Sequence, residues 1–174
     1  MCKAASSGLQ LPKMNHGDQK ADMTELTRTE VQQWIEAEKL DVYVCGDCEG
    51  IHLPLWEGQE AVLESRVFVD EFRCHFLLEI ALRFSAVLPL QGAVHFMNYD
   101  ATLVKVMLTM ADNDVPRLLI SHAIPSKHLT QKQFSQWLTM LLEETDSLYK
   151  QLVDMEVLLL DDIDQMQDFD AQLH

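Results

Sequence analysis

The sequence predicts an α+β fold, an antiparallel β-sheet with helices packed on one side. Three observations carry that prediction. Residues 73–84 alternate with a period of two: Cys74, Phe76, Leu78, Ile80, Leu82 and Phe84 fall on one face, and Arg73, His75, Glu79 and Arg83 on the other. That is the pattern of a sheet covered on one side only. Two capping boxes, Thr27/Glu30 and Thr130/Gln133, mark helix starts near the two ends of the chain, because each pair can satisfy the orphan N–H groups of a first turn. After the second box, apolar residues recur at spacings of four and three, a stripe long enough to cover such a sheet.

The elements follow in order. The first helix starts after Thr27 and stops near Leu40, with Val31, Trp34 and Ile35 on one face. The strands "DVYVC" (41–45) and "GIHLPL" (50–55) then flank a short turn, and "AVLESRVFV" (61–69) and "RCHFLLEIALRF" (73–84) flank another at Asp70-Glu71. Pro89 suits a helix's first turn, where a missing N–H costs little, so a short helix is predicted over 89–99. "LVKVMLTMA" (103–111) and "RLLISHAI" (117–124) form a second hairpin through "DNDVP", whose Asp and Asn suit a turn. The last helix carries Phe134, Leu138, Leu141, Thr145, Leu148, Leu152, Met155 and Leu159 in a heptad-like seam. Trp137, Leu142 and Tyr149 widen that seam, which favours packing on the chain's own sheet; a homodimer through the seam is the alternative.

Residues 1–23 are polar and aperiodic and read as a disordered tail. Residues 24–160 form a single domain, and 161–174, with five aspartates and no Lys or Arg, form an acidic tail. The chain has 174 residues, 48% hydrophobic and 24% charged, enough to build a core without metal or disulfide staples. Its formal net charge of -15 argues against nucleic acid and anionic lipid, both of which need a basic face, and favours basic or amphipathic protein partners. No stretch approaches the ~18 apolar residues of a membrane span, and the N-terminus has no apolar signal region. Four cysteines without an export signal imply free thiols in a reducing cytoplasm.

The chemistry-bearing stretch is "CGDCEGIHL" (45–53). Cys45 and Cys48 supply one pair of zinc donors, but no second C-x-x-C or H-x-x-x-H completes a four-ligand set. His52 lies on the polar face of its strand and reaches the pair only if the hairpin curls. A redox dithiol usually sits at a helix N-terminus; here the nearest charges, Asp47 and Glu49, are expected to raise a thiol pKa. The preferred reading is therefore a tight hairpin turn, with Gly46 and Asp47 at positive φ. A metal or redox sensor built on Cys45 and Cys48 is the alternative. Elsewhere no G-x-S-x-G, H-E-x-x-H or glycine-rich phosphate loop occurs, and Glu143 and Glu144 read as solvated. No catalytic residue, cofactor or resident metal is expected. Val62, Phe68 and Leu77 interrupt otherwise polar strand faces and are the predicted surface for a protein partner.

Together, "VYVCGDCEGIHLPL", "RFSAVLPLQG" and "DVPRLLISHAI" resemble, in order from about Trp34 to Leu160, the YbjN family of small bacterial proteins, also labelled sensory transduction regulators. The resemblance implies a fold similar to type III secretion chaperones. It also implies a non-enzymatic regulator linked to stress tolerance, motility and exopolysaccharide regulation. It supplies no catalytic residue.

Overall fold

The structure, a computed structural model, describes residues 25–110 and 115–160. The two tails expected over 1–23 and 161–174 lie outside these residues, as do 111–114 in the second hairpin's connection. The elements are α1 (Arg28–Ala37), β1 (Tyr43–Val44), β2 (Ile51–His52), β3 (Val62–Val69), β4 (Arg73–Ala81), α2 (Val87–Asp100), β5 (Lys105–Thr109), β6 (Arg117–Pro125) and α3 (Gln131–Asp154). The strands form one antiparallel sheet in the order β1-β2-β3-β4-β6-β5. The α+β class predicted from sequence is the class observed.

Local chemistry sets the boundaries. Both capping boxes form: Thr27 Oγ1 accepts from the Glu30 amide while Glu30 accepts from the Thr27 amide, and Thr130 and Gln133 do the same at α3. The β3–β4 turn is closed by Asp70, whose carboxylate accepts from the Phe72 and Arg73 amides at 2.8 and 2.9 Å, an Asx-type turn.

The core lies between one face of the sheet and helices α1 and α3. Cys74, Phe76, Leu78 and Ile80 of β4 are fully buried there, with Ile51, Val67, Val106 and Ile120 from neighbouring strands. The helices contribute Val31 and Ile35 from α1 and the α3 seam from Phe134 to Leu152, so the seam is spent on the chain's own sheet. The periodicity fails at its ends. Phe84 leaves the sheet in a 3-10 turn and is 65% exposed, and Met155 falls beyond the last turn of α3. After α3 the chain returns to β4: Leu158 bridges Leu82, the Arg83 amide donates to Val157 O, and the Leu159 amide donates to Ala81 O.

The opposite face carries His52, Arg66, Phe68, His75, Leu77, Glu79, Leu119 and Ser121, which register places together across the sheet. Among the described residues no helix packs on it. Strand β5 is an edge, and α2 lies along it. Asn98 donates to Val106 O at 2.7 Å and accepts from Val106 N at 2.9 Å, replacing a strand partner. Glu144 of α3 holds the preceding connection, accepting from the Thr102, Leu103 and Val104 amides and the Thr102 hydroxyl at 2.6–3.0 Å. Among the described residues no helix is long and apolar enough to cross a membrane.

Candidate functional site

The stretch 45–53 folds as a six-residue loop, Cys45–Gly50, between two strands of two residues each, with Val44 opposite Ile51. It is not the tight turn predicted. A loop of this length reverses the chain without a primed turn, and neither Gly46 nor Asp47 has positive φ. Gly50 is needed for a different reason. A Cβ there would stand 2.9 Å from Arg66 Cδ and 3.2 Å from the Phe68 ring, so glycine lets the loop lie close against β3.

The longer loop curls both thiols onto the uncovered face of β2, where His52 points. The two Sγ atoms lie 3.2 Å apart, and His52 Nε2 lies 3.3 Å from each. The three donor atoms fall within 4.8 Å of one another, and all three side chains are half-buried. Tyr43, directly opposite His52 in register, stacks on its ring at 4.4 Å and 8° between planes. The Tyr43 hydroxyl donates to Glu57 at 2.7 Å, which fixes that ring in turn.

Charge around the thiols comes from an adjacent strand. Cys48 is lowered to about 6, first by the hydrogen bond from Cys45, then by Arg66 of β3 and the Gly50 backbone, with burial opposing and His52 assisting. This reverses the expectation that Asp47 and Glu49 would raise it. Those acids are exposed and screened by water, whereas the guanidinium makes contact. Arg66 also pairs with Glu64 and lies over the Phe68 ring, 5.3 Å from its centroid. Cys74, buried in the core, is by contrast pushed up to about 12, chiefly by desolvation. Chemically, the loop offers one ionised thiol, a second thiol and an imidazole in mutual contact.

The predicted partner surface divides. Phe68 and Leu77 lie half-buried on the uncovered face. Val62 does not join them. It opposes buried Ile80 and packs against the core, because Ala61 at φ 60° and a register shift between Val62 and Glu64 turn it over. A surface the sequence reading missed lies on α2. Leu88, Phe96 and Tyr99 occupy one helix face with Gly92 between them and are 78%, 67% and 84% exposed. The signal was present as the 88, 92, 96, 99 spacing, but a helix apolar on several sides does not disclose which side is covered.

A cleft of about 220 Å³ is lined by Leu40, Leu53, Pro54, Leu55 and Leu142 beside Lys39 and Asp41. It gathers no acid–base pair with nucleophile geometry.

Comparison with known proteins follows the same outline. A family model described as "Putative bacterial sensory transduction regulator", YbjN, matches residues 27–153. YbjN of Escherichia coli K12 is 26% identical over 119 residues, 68% of this chain and 75% of that protein, and YbjN of Shigella flexneri matches equally. The crystal structure of E. coli YbjN, titled "a putative transcription regulator", superposes with a TM-score of 0.74 at 22% identity, covering 79% of this chain and 99% of that one. At that identity the superposition speaks for the fold. The match to the family model covers the whole described sheet and nearly all of α3, and on that ground the chain belongs to the YbjN family.

Proposed function

We propose that this chain is a non-enzymatic regulatory protein that acts by binding a protein partner through the apolar stripe of α2. The observation that carries the reading is the exposure of Leu88, Phe96 and Tyr99 on one helix face. Contiguous apolar patches on a folded surface mark interaction sites more often than they occur by chance. Competing surfaces are weaker. Strand addition at β5 is opposed by Asn98, which occupies the Val106 backbone groups, and β1 is two residues long. Phe68 and Leu77 are half-buried, and their register partners on that face are His75, Arg66 and Ser121. A net charge of -15 favours a basic, amphipathic segment as the partner. A cytoplasmic setting, a chaperone-like mode of capture, and roles in stress tolerance, motility and exopolysaccharide regulation belong to the same proposal.

The test uses Gly92, at the centre of the stripe, where an added Cβ meets nothing within 4 Å. A photocrosslinking residue there should trap a protein in living cells. Leu88→Ser with Phe96→Ser should abolish the adduct without lowering the melting temperature. A self-adduct would make the partner a second copy of the chain. Equal crosslinking from exposed Lys132 on α3, or an adduct indifferent to the substitutions, would overturn the assignment of the surface.

A further inference from the structure

The loop and β2 bring together a donor set that protein binding does not use. We propose that Cys45, Cys48 and His52 bind one borderline-soft divalent cation of the zinc type, with the fourth ligand supplied from outside this triad. Two sulfurs and one imidazole nitrogen are the donors zinc selects over magnesium or calcium, which require oxygen. Oxygen donors are at hand in Asp47 and Glu49, but neither belongs to the converging group.

Geometry supports three-point binding. The triangle has sides of 3.2, 3.3 and 3.3 Å. Bonds of ~2.3 Å to sulfur and ~2.0 Å to nitrogen at tetrahedral angles place such donors about 3.5–3.8 Å apart. The triad therefore needs to open by about 0.2 Å between sulfur and nitrogen and about 0.6 Å between the sulfurs, within reach of side-chain rotations. A disulfide would instead draw the sulfurs in to ~2.05 Å and leave His52, now touching both, without a role. His52 is what separates the two chemistries.

The surroundings are those of a held ligand set. The stack of Tyr43 on His52, and the hydrogen bond from Tyr43 to Glu57, restrict the imidazole's rotation, the orienting task that outer-shell partners perform in metal sites. Arg66, opposite His52 in register, places a positive charge beside the triad. A bound ion would tie loop 45–50 to β2 at an edge where the strands contribute few hydrogen bonds of their own, and its binding free energy would add to the stability of that edge. The site is separate from the α2 stripe, so either proposal can fail alone.

The experiment takes the full chain, fully reduced and stripped with chelator, and adds Zn²⁺ under native mass spectrometry and Co²⁺ under absorption spectroscopy. One equivalent of zinc should be retained, and cobalt should show a thiolate charge-transfer band with tetrahedral d–d bands. Cys48→Ser should abolish both. His52→Phe, which keeps an aromatic ring against Tyr43, should weaken zinc binding by more than about tenfold while leaving the melting temperature of the metal-free protein unchanged. Three results would overturn the site: no stoichiometric zinc, zinc retained by a Cys45→Ser, Cys48→Ser double variant, or a wild-type chain that forms a reductant-reversible disulfide and takes up no metal.

Discussion

Trp137 of α3 donates its indole N–H to His122 Nδ1 of β6 at 2.8 Å, so the long helix is joined to the sheet by a bond that exists only while His122 is neutral. Burial lowers the His122 pKa, with Lys105 and His75 adding to that and Glu144 opposing it. The folded state thus resists a proton that the unfolded chain accepts. Its contribution is complete above the unfolded histidine range and is lost as pH falls through the lowered folded value. Chemical denaturation followed by tryptophan fluorescence should show stability dropping below about pH 6.5. Replacing the residue, His122→Gln, should flatten that slope.

Glu144 accepts four hydrogen bonds from residues 102–104. Burial pushes its pKa up, but those bonds outweigh burial and the net shift is downward. Its stabilisation is present above the ordinary glutamate range and disappears as pH falls through the depressed value. Glu144→Gln turns an amide N–H toward backbone donors and should cost about 1–3 kcal/mol at neutral pH. Equal urea midpoints for variant and wild type would disprove the tether.

Thiol reactivity should be sharply divided. In the native, metal-free protein, Cys45 and Cys48 are accessible, and Cys48 is ionised near neutrality. Cys74 is buried and held protonated. Brief iodoacetamide treatment at pH 7 followed by peptide mapping should label 45 and 48 and spare 74. Rapid labelling of Cys74 would mean that the core opens at little cost.

Asn98 occupies both Val106 backbone groups at the β5 edge. Asn98→Ala should leave them unpaired, cost about 1–3 kcal/mol and expose a strand edge that pairs with other copies. Light scattering at raised concentration should show aggregation in the variant and none in wild type.

What the sequence disclosed was what adjacent residues decide. Thr27 with Glu30, Thr130 with Gln133, and the alternation from Cys74 to Leu82 each rest on contacts a few residues apart, and each reads directly. What it concealed was decided by residues brought in from elsewhere. Cys45, brought against Cys48 by the curl of the loop, and then Arg66 from β3 lower the Cys48 pKa and reverse the sign expected from Asp47 and Glu49. Glu144 looked solvated because its donors lie about forty positions away on a connection, an arrangement with no local periodicity. The face of Val62 turned on one register shift between Val62 and Glu64, and a single slip exchanges the faces of a strand. The triad itself was half legible. The pair was visible, but His52's approach depended on how far the loop curls.

The return of residues 157–159 to the backbone of Ala81–Arg83 decides where this chain can be cut. A fragment ending with α3 at Asp154 would strip the partners from Ala81 O and the Arg83 amide and uncover buried Leu82. A fragment ending at Leu160 would keep them. The minimal self-sufficient unit therefore extends past α3, and a nested set of shortened chains should pass from cooperative to frayed melting between those two ends.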